Sequence, residues 1–368
     1  MVKLDQDFEN GSLGQVTELG PDWYQIGLRP DTWYWTHFRV RGCMGREITF
    51  SLTYGPNMPA NRWGVHETGN PENPDYTCRV PYISYDRKRW RHVDSAEKIA
   101  HMPNTVQFVH RFEEDEAYLC YTIPYTYTDL LRYLESIDGH PLITVEMIGR
   151  TREGRDVPMV TVGKDDPSRD TIMFISREDA DEPTSNVALE GMIARMIADD
   201  DEAIANMMGK TRFRIVPMTA VDSVVGGSPY GGRYYMAREW FREPPLPEIR
   251  AVKDVVEDCF ENSRVKLMGK LHGGQTYDNP PVWDFRVFDL KLRKLIPQKR
   301  PESLDPVWNC FLRDAVPWVR KLTIFESYLQ QTYDFWPFFS THTNGINPDN
   351  LRAGGSRFAD LLAKYVTL

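Results

Sequence analysis

Cysteine is scarce and unpatterned in this chain of 368 residues. The five cysteines (Cys43, Cys78, Cys120, Cys259, Cys310) are scattered, odd in number and form no Cys-x-x-Cys pair. That argues against a disulfide framework or a cysteine zinc finger and predicts free thiols in a reducing, cytoplasmic compartment. No stretch approaches the ~18 consecutive apolar residues of a membrane-spanning helix. The opening MVKLDQDFENG carries no apolar signal segment. Basic charge is also in deficit, with 44 Lys and Arg against 53 Asp and Glu and a formal net charge of -9. A phosphate backbone needs clustered cations, so neither nucleic acid nor a membrane is the expected partner. The short basic runs at 87–89 and 291–294 read as solvated loops. Internal repeats and low-complexity tracts are absent from the sequence.

What is present is a globular composition, 41% hydrophobic and 12% aromatic, in a chain long enough for two domains. Residues 1–125 are rich in short runs of Val, Ile, Thr, Tyr and Trp, at 23–26, 33–40, 46–54, 105–111 and 117–123, separated by turn formers such as Gly55-Pro56-Asn57. Many short strands with turn signals predict a small antiparallel β-sandwich domain. From residue 126 onward strands alternate with helices, which predicts an α/β domain with a mixed or mostly parallel sheet. Expected helices lie at 127–135, 246–260 and 356–366; expected strands lie at 142–148, 158–162, 171–176, 212–217, 265–271 and 322–325. The weakly periodic, proline-rich stretch 278–314 reads as an excursion over the surface.

The chemistry concentrates in residues 171–196, TIMFISREDADEPTSNVALEGMIARM. The strand is followed by a charged turn at 176–182. Pro183 then suits a first helical turn, and Ala188, Leu189, Met192, Ile193 and Met196 recur as one apolar helix face. The turn crowds Glu178, Asp179, Asp181 and Glu182 around Arg177 at the C-terminal end of a buried strand, which is where open α/β sheets bind ligands. Two readings stand side by side: a solvated acidic loop, or carboxylates gathered around a metal ion.

The order of these pieces resembles the cytosolic carboxypeptidase branch of the zinc metallocarboxypeptidases. The segments that carry the resemblance are FENGSL (8–13), WTHFRVRG (35–42), YISYDRKRW (82–90), IPYTYTDLLRYL (123–134), GRTREGRDVPMVTVG (149–163), LHGG (271–274) and IFES (324–327). The resemblance implies a metallocarboxypeptidase-like domain behind a β-sandwich and a zinc ion held by a His-x-x-Glu pair and a later His. It further implies a glutamate general base and an Asn-Arg pair that grips a substrate carboxylate. Residue by residue, the later His is His272, the base is Glu326 and the Glu of the pair is Glu182. The first His falls on Asp179, the Asn-Arg pair on Ala237-Arg238, and an Asn-Pro-Asp-Gly turn on Ala220-Val221-Asp222-Ser223. The Asp that precedes Leu-His in the family is Lys270 here. The scaffold is matched and the site is altered.

Aspartate oxygen is an acceptable zinc donor at about 2.0–2.2 Å, so Asp179, Glu182 and His272 could hold an ion with one position open for water. Two carboxylates would weaken the Lewis acid and tilt selectivity toward harder ions such as Mn²⁺. Glu326 would move the proton of the water, and Arg238 would pair with a carboxylate or an oxyanion. Each residue also has a plain structural reading: His272 as a hydrogen-bonded strand-end histidine, Arg238 stacked among Tyr234, Tyr235 and Trp240, Glu326 as a surface acid. His342, the remaining histidine beyond His140, is a spare ligand candidate. Tyr230, Tyr277, Trp283, Tyr328 and Trp336 are either stacking walls for a ring or core. The Gly-rich loop 226–232 lacks the Lys-Ser or Lys-Thr of a phosphate loop. The expected activity is metal-dependent hydrolysis of an amide or acyl bond in a small-molecule, peptide or sugar-derived substrate other than a generic peptide C-terminus. The rivals are a non-catalytic binding module and a metal-assisted polysaccharide lyase.

Overall fold

The computed structural model describes residues 1–27, 29, 35–53, 81–93, 97–98, 105–120, 122–198, 200–228, 236–273, 282–299, 305, 308–312, 324–344 and 347–368. Contacts along the chain divide it into two compact units, Met1–Pro124 with Ser223–Gly232, and Tyr125–Asp222 with Arg233–Leu368.

The first unit holds two five-stranded sheets. One is antiparallel throughout, in the order β1 (Lys3–Asp5), β4 (His37–Arg41), β10 (Glu116–Cys120), β6 (Tyr82–Ser84), β7 (Arg91–His92). The other runs β2 (Val16–Gly20), β3 (Trp23–Ile26), β5 (Glu47–Thr53), β9 (Thr105–Arg111), β8 (Glu97–Lys98), antiparallel except for the β3–β5 pair. Alternating residues supply the apolar interior: Phe38 of one sheet meets Phe50 of the other at 5.9 Å, and Phe50 stacks on Phe108 at 5.3 Å.

The FENGSL and WTHFRVRG segments lock this unit together. Asn10 is buried at a positive φ of 69°, its side-chain amide donates to the Val224 carbonyl at 2.8 Å, and its backbone N–H donates to Val225 at 2.8 Å. The Trp35 indole donates to the Asn10 carbonyl at 3.3 Å, and Ser12 Oγ donates to the Trp35 carbonyl at 3.1 Å. Burial, helped by the Arg87 charge, pushes the His37 imidazole down to about 3 against the pull of its Asn10 hydrogen bond. His37 is therefore a neutral core residue.

The second unit is built on an eight-stranded mixed sheet in the order β11 (Ile143–Arg150), β12 (Asp156–Val162), β14 (Thr211–Val216), β13 (Asp170–Ser176), β15 (Arg264–Gly273), β18 (Phe338–Asn344), β16 (Val282–Val287), β17 (Asn309–Leu312). The central run β14–β13–β15–β18 is parallel. Residues 171–176 of β13 are all buried, as expected for a parallel strand covered on both faces. From β13 the chain passes through α2 (Thr184–Ile197) and α3 (Glu202–Lys210) to β14 on one side. It then passes through α4 (Val221–Val225) and α5 (Pro247–Asn262) to β15 on the other. This reversal makes β13 the switch point, with crossover helices on opposite faces if both crossovers are right-handed.

Local chemistry sets the helix ends. Thr126 and Asp129 form a capping box for α1 (Tyr127–Ile137), Asp201 caps α3, and Pro247 opens α5. Asn347 caps α8 (Pro348–Thr367), whose Gly355 lies against α2: a Cβ there would sit 1.9 Å from the Ala188 carbonyl oxygen.

Several expectations are corrected. The described part of the 278–314 stretch is not an excursion, because it supplies β16, α6 (Leu290–Leu295) and β17, with Trp283 and Phe285 fully buried. Its Val282, Asp284 and Arg286 alternate with Trp283, Phe285 and Val287, a strand pattern that the flanking prolines obscure. The basic run 291–294 lies in α6 and not in a loop. Phe325 begins a helix, α7 (Phe325–Tyr333), where the apolar run 322–325 reads as a strand; residues 322 and 323 lie outside the described residues. A four-residue apolar run carries no period, and the Phe325/Leu329 spacing was the helical signal. Cys43, Cys120, Cys259 and Cys310 are buried thiols outside any disulfide; Cys78, Tyr230, Tyr234, Tyr235 and Tyr277 lie outside the described residues. Trp240 and Trp283 are core, whereas Trp336 is 38% exposed. No described helix is long and apolar enough to cross a membrane.

Candidate metal centre

The charged turn after β13 is buried, not solvated. Arg177, Glu178, Asp179, Asp181 and Glu182 are each 6% exposed or less. Arg177 holds the turn from inside at a positive φ of 55°, donating through Nε and Nη2 to the Ala180 carbonyl at 3.1 and 2.7 Å and through Nη1 to Asn186 Oδ1 at 2.8 Å. Asn186 in turn donates to the Pro217 carbonyl at 2.7 Å. Such a left-handed arginine persists only where its surroundings fix it. Burial alone lowers its guanidinium to about 9, against the pull of Glu182.

The turn reaches the strand ends beside it through small residues. Gly273 N donates to Glu182 Oε2 at 3.0 Å, and a Cβ on Gly273 would sit 2.4 Å from the Glu182 carbonyl oxygen. Thr184 Oγ1 donates to the Thr343 carbonyl at 2.6 Å, and Thr343 Oγ1 donates to the His272 carbonyl at 3.1 Å. The C-terminal ends of β13, β15 and β18 are thereby drawn together.

Asp179, Glu182 and His272 meet there. His272 Nδ1 lies 3.1 Å from Asp179 Oδ2 and 3.0 Å from Glu182 Oε2. Burial and the Lys270 charge pull the imidazole down, but Glu182 and the hydrogen bonds to both carboxylates outweigh them and raise it to about 10. An imidazole nitrogen facing two carboxylates at this distance marks a place suited to a cation. These two nitrogen–oxygen separations are close to the ~3.3 Å edge of a tetrahedron drawn at the ~2.0 Å bond lengths of nitrogen and oxygen donors to zinc. The donor set fits a divalent ion. Glu182, His272 and His342 also form a three-donor cluster whose ligand atoms all lie within 4.8 Å of one another.

Glu326 stands in the first turn of α7, 6% exposed, with Oε2 buried and unpartnered among the described residues. Arg238 closes the 3₁₀ turn Met236–Arg238 and is exposed, following a buried Ala237. Asp222 is tied to the hairpin turn that precedes β12: it accepts from Thr151 Oγ1 at 2.7 Å, Glu153 N at 3.0 Å and Arg155 Nη1 at 2.7 Å.

Two features escape sequence reasoning. The first is a buried ion pair between Lys270 Nζ and Glu178, whose carboxylate also accepts from the Trp240 indole. Burial pulls the Lys270 ammonium down, but Glu178, Glu326 and Asp179 outweigh it and hold it above its ordinary value. The two-residue spacing of Lys270 and His272, which puts both on one face of β15, was the available signal. The second is the placement of His342, in the sequence a spare ligand candidate, which stacks on His272 at 4.6 Å with an interplanar angle of 11°. That placement requires strand β18, which the sequence pattern did not reveal.

Comparison with known proteins agrees with this architecture. A zinc carboxypeptidase family model matches residues 130–228. Cytosolic carboxypeptidase 3 of Bos taurus is 22% identical over 336 residues, which is 81% of this chain and 33% of that protein. Human cytosolic carboxypeptidase 6 is 22% identical over 286 residues, 72% of this chain and 55% of its own length. The chain thus spans about a third to about half of these two relatives. Among solved structures, a metallo-carboxypeptidase from Burkholderia cenocepacia superposes with a TM-score of 0.78 at 18% identity, covering 100% of this chain and 99% of that one. A metallo-carboxypeptidase from Pseudomonas aeruginosa in complex with (2-guanidinoethylmercapto)succinic acid superposes at 0.75, again at 18% identity, covering 99% of each chain. The chain has the metallocarboxypeptidase fold, and its sequence resembles the cytosolic branch of the zinc carboxypeptidases.

Proposed function

We propose that this protein is a metal-dependent hydrolase, with zinc as its ion, that cleaves an amide or related acyl bond beside a carboxylate. The observation that carries the reading is the convergence of Asp179 Oδ2 and Glu182 Oε2 on His272 Nδ1, at 3.1 and 3.0 Å, at the C-terminal ends of the parallel strands. Bound zinc would supply a water acidic near neutral pH and a Lewis acid for the carbonyl oxygen.

The remaining chemistry belongs to the chain's own side chains. Asp179, Glu182 and His272 would hold the ion. Glu326 would accept the proton of the attacking water and pass it to the leaving nitrogen; its buried, unpartnered Oε2 suits a group reserved for a partner that comes and goes. Lys270, coupled to Glu326 and to the turn acids, keeps positive charge beside them. Arg238 would pair with the substrate carboxylate from its exposed position. Buried Ala237 offers that carboxylate no side-chain amide, which favours a modified amino acid, an acidic conjugate or a sugar derivative over a generic peptide C-terminus.

The test is hydrolysis of a panel of C-terminal peptides and N-acyl sugar acids by the zinc-loaded protein and by Glu326→Gln. The expected result is turnover of at least one panel member, reduced by about 10²–10⁴-fold in Glu326→Gln with zinc retained. Undiminished turnover in the variant removes Glu326 from the mechanism, and no turnover on any panel member contradicts the hydrolase reading.

A further inference from the structure

The proposed centre leaves one imidazole of the neighbourhood without a role. Strands β15 and β18 pair in parallel with His272 directly opposite His342, and the two rings stack at 4.6 Å and 11°. On its other side, β18 pairs antiparallel with β16, which sets Asp284 opposite His342 with Oδ1 3.3 Å from Nδ1. One ligand atom each from Glu182, His272 and His342 can be chosen so that all three lie within 4.8 Å. The turn at 176–182 contains no imidazole of its own.

We propose that His342 is a ligand of the same ion, the second imidazole of a centre whose other donors are Glu182, His272 and Asp179. This rests on the metal-site reading above and adds a donor to it. Three lines of argument converge. The register fixes His342 beside His272 at the strand ends and not along the sheet interior. The ring is half-buried, with a side-chain exposure of 26%, against 12% for His272, so it borders the centre without being sealed into the core. Asp284 Oδ1 stands 3.3 Å from His342 Nδ1, close enough to serve as the carboxylate that a ligating histidine usually has beside the nitrogen that does not bind the ion.

The donor set changes the expected metal. One imidazole with two carboxylates leans toward harder ions, whereas two imidazoles with carboxylates suit zinc, cobalt and iron(II) over manganese and magnesium. His342 would thus be the residue that makes a carboxylate-rich turn selective for zinc.

The direct test needs no substitution: X-ray absorption on the zinc-loaded wild-type protein counts imidazoles around the ion. Two support the proposal; one overturns it while leaving the metal centre standing. In parallel, zinc and manganese titrations of apo wild type, His342→Ala, His342→Gln and Asp284→Asn are compared, with His272→Ala as reference. The expected result is a zinc affinity lowered about 100-fold or more by either His342 variant and about 10–100-fold by Asp284→Asn, with manganese affinity much less affected. Wild-type zinc affinity in folded His342 variants, alongside loss in His272→Ala, overturns the role of His342 alone. Absence of zinc binding in wild type overturns both this proposal and the reading beneath it. Should the variants fail to fold, the imidazole count on wild type decides.

Discussion

Lys270 and Glu178 show what single residues do at this centre. Both are almost fully buried, and each is the other's counter-ion, with Trp240 donating a further hydrogen bond to Glu178. Removing one partner strands a charge in a low-dielectric interior, which costs about 3–5 kcal/mol, while replacing both with apolar groups of similar size costs far less. Lys270→Met is therefore expected to lower the free energy of unfolding by about 3–5 kcal/mol, and Lys270→Met combined with Glu178→Leu to recover most of that loss. Urea denaturation of the two variants checks it; a double variant as unstable as the single one contradicts the pairing. The pair also explains how the turn tolerates so many acids. Arg177 and Lys270 supply two buried positive charges among Glu178, Asp179, Asp181 and Glu182, leaving an excess of negative charge that one divalent ion would balance.

Among the described elements, the α2–α8 crossing is a close contact built on small residues. A Cβ on Gly355 would approach the Ala188 carbonyl oxygen to 1.9 Å, and one on Gly191 would approach the Arg352 carbonyl oxygen equally closely, at 1.9 Å. Gly209, in α3, has nothing within 4 Å of the same position. Gly355→Ala should destabilise by about 3 kcal/mol, since neither backbone can yield without unpacking the helix pair. Gly209→Ala should be neutral or stabilising by about 0.4–1 kcal/mol. Thermal unfolding distinguishes them, and equal effects at the two sites would sink the argument.

Legibility follows the same division. Strands with strong local pattern were readable: 105–111 and 23–26 match their observed limits, and 265–271 falls inside Arg264–Gly273. The turn acids and His272 were readable because they cluster at the end of an apolar strand. β18 was not, because Phe338–Asn344 is polar toward its end and gains its place only from β15 on one side and β16 on the other. His342 was legible as a spare ligand candidate, but its place opposite His272 was hidden with the strand. The Lys270–Glu178 pair was equally illegible, since 92 residues separate two side chains that meet only through β13–β15 register.

For the molecule as a whole, the sheet order concentrates chemistry at one edge. The parallel strands β13, β15 and β18 end together, and the proposed centre is built from acids that follow β13 and from histidines near the ends of β15 and β18. The β-sandwich unit carries its own core, stapled by Asn10 to Val224 and Val225, and the centre draws none of its named donors from it. The central claim is that this carboxypeptidase-like scaffold still holds a metal through an aspartate in place of a histidine. Equilibrium dialysis against zinc followed by elemental analysis tests it most directly. The account predicts one zinc per chain in wild type and none in the folded Asp179→Ala/Glu182→Ala variant; a wild type that retains no zinc, or a variant that retains as much, contradicts it.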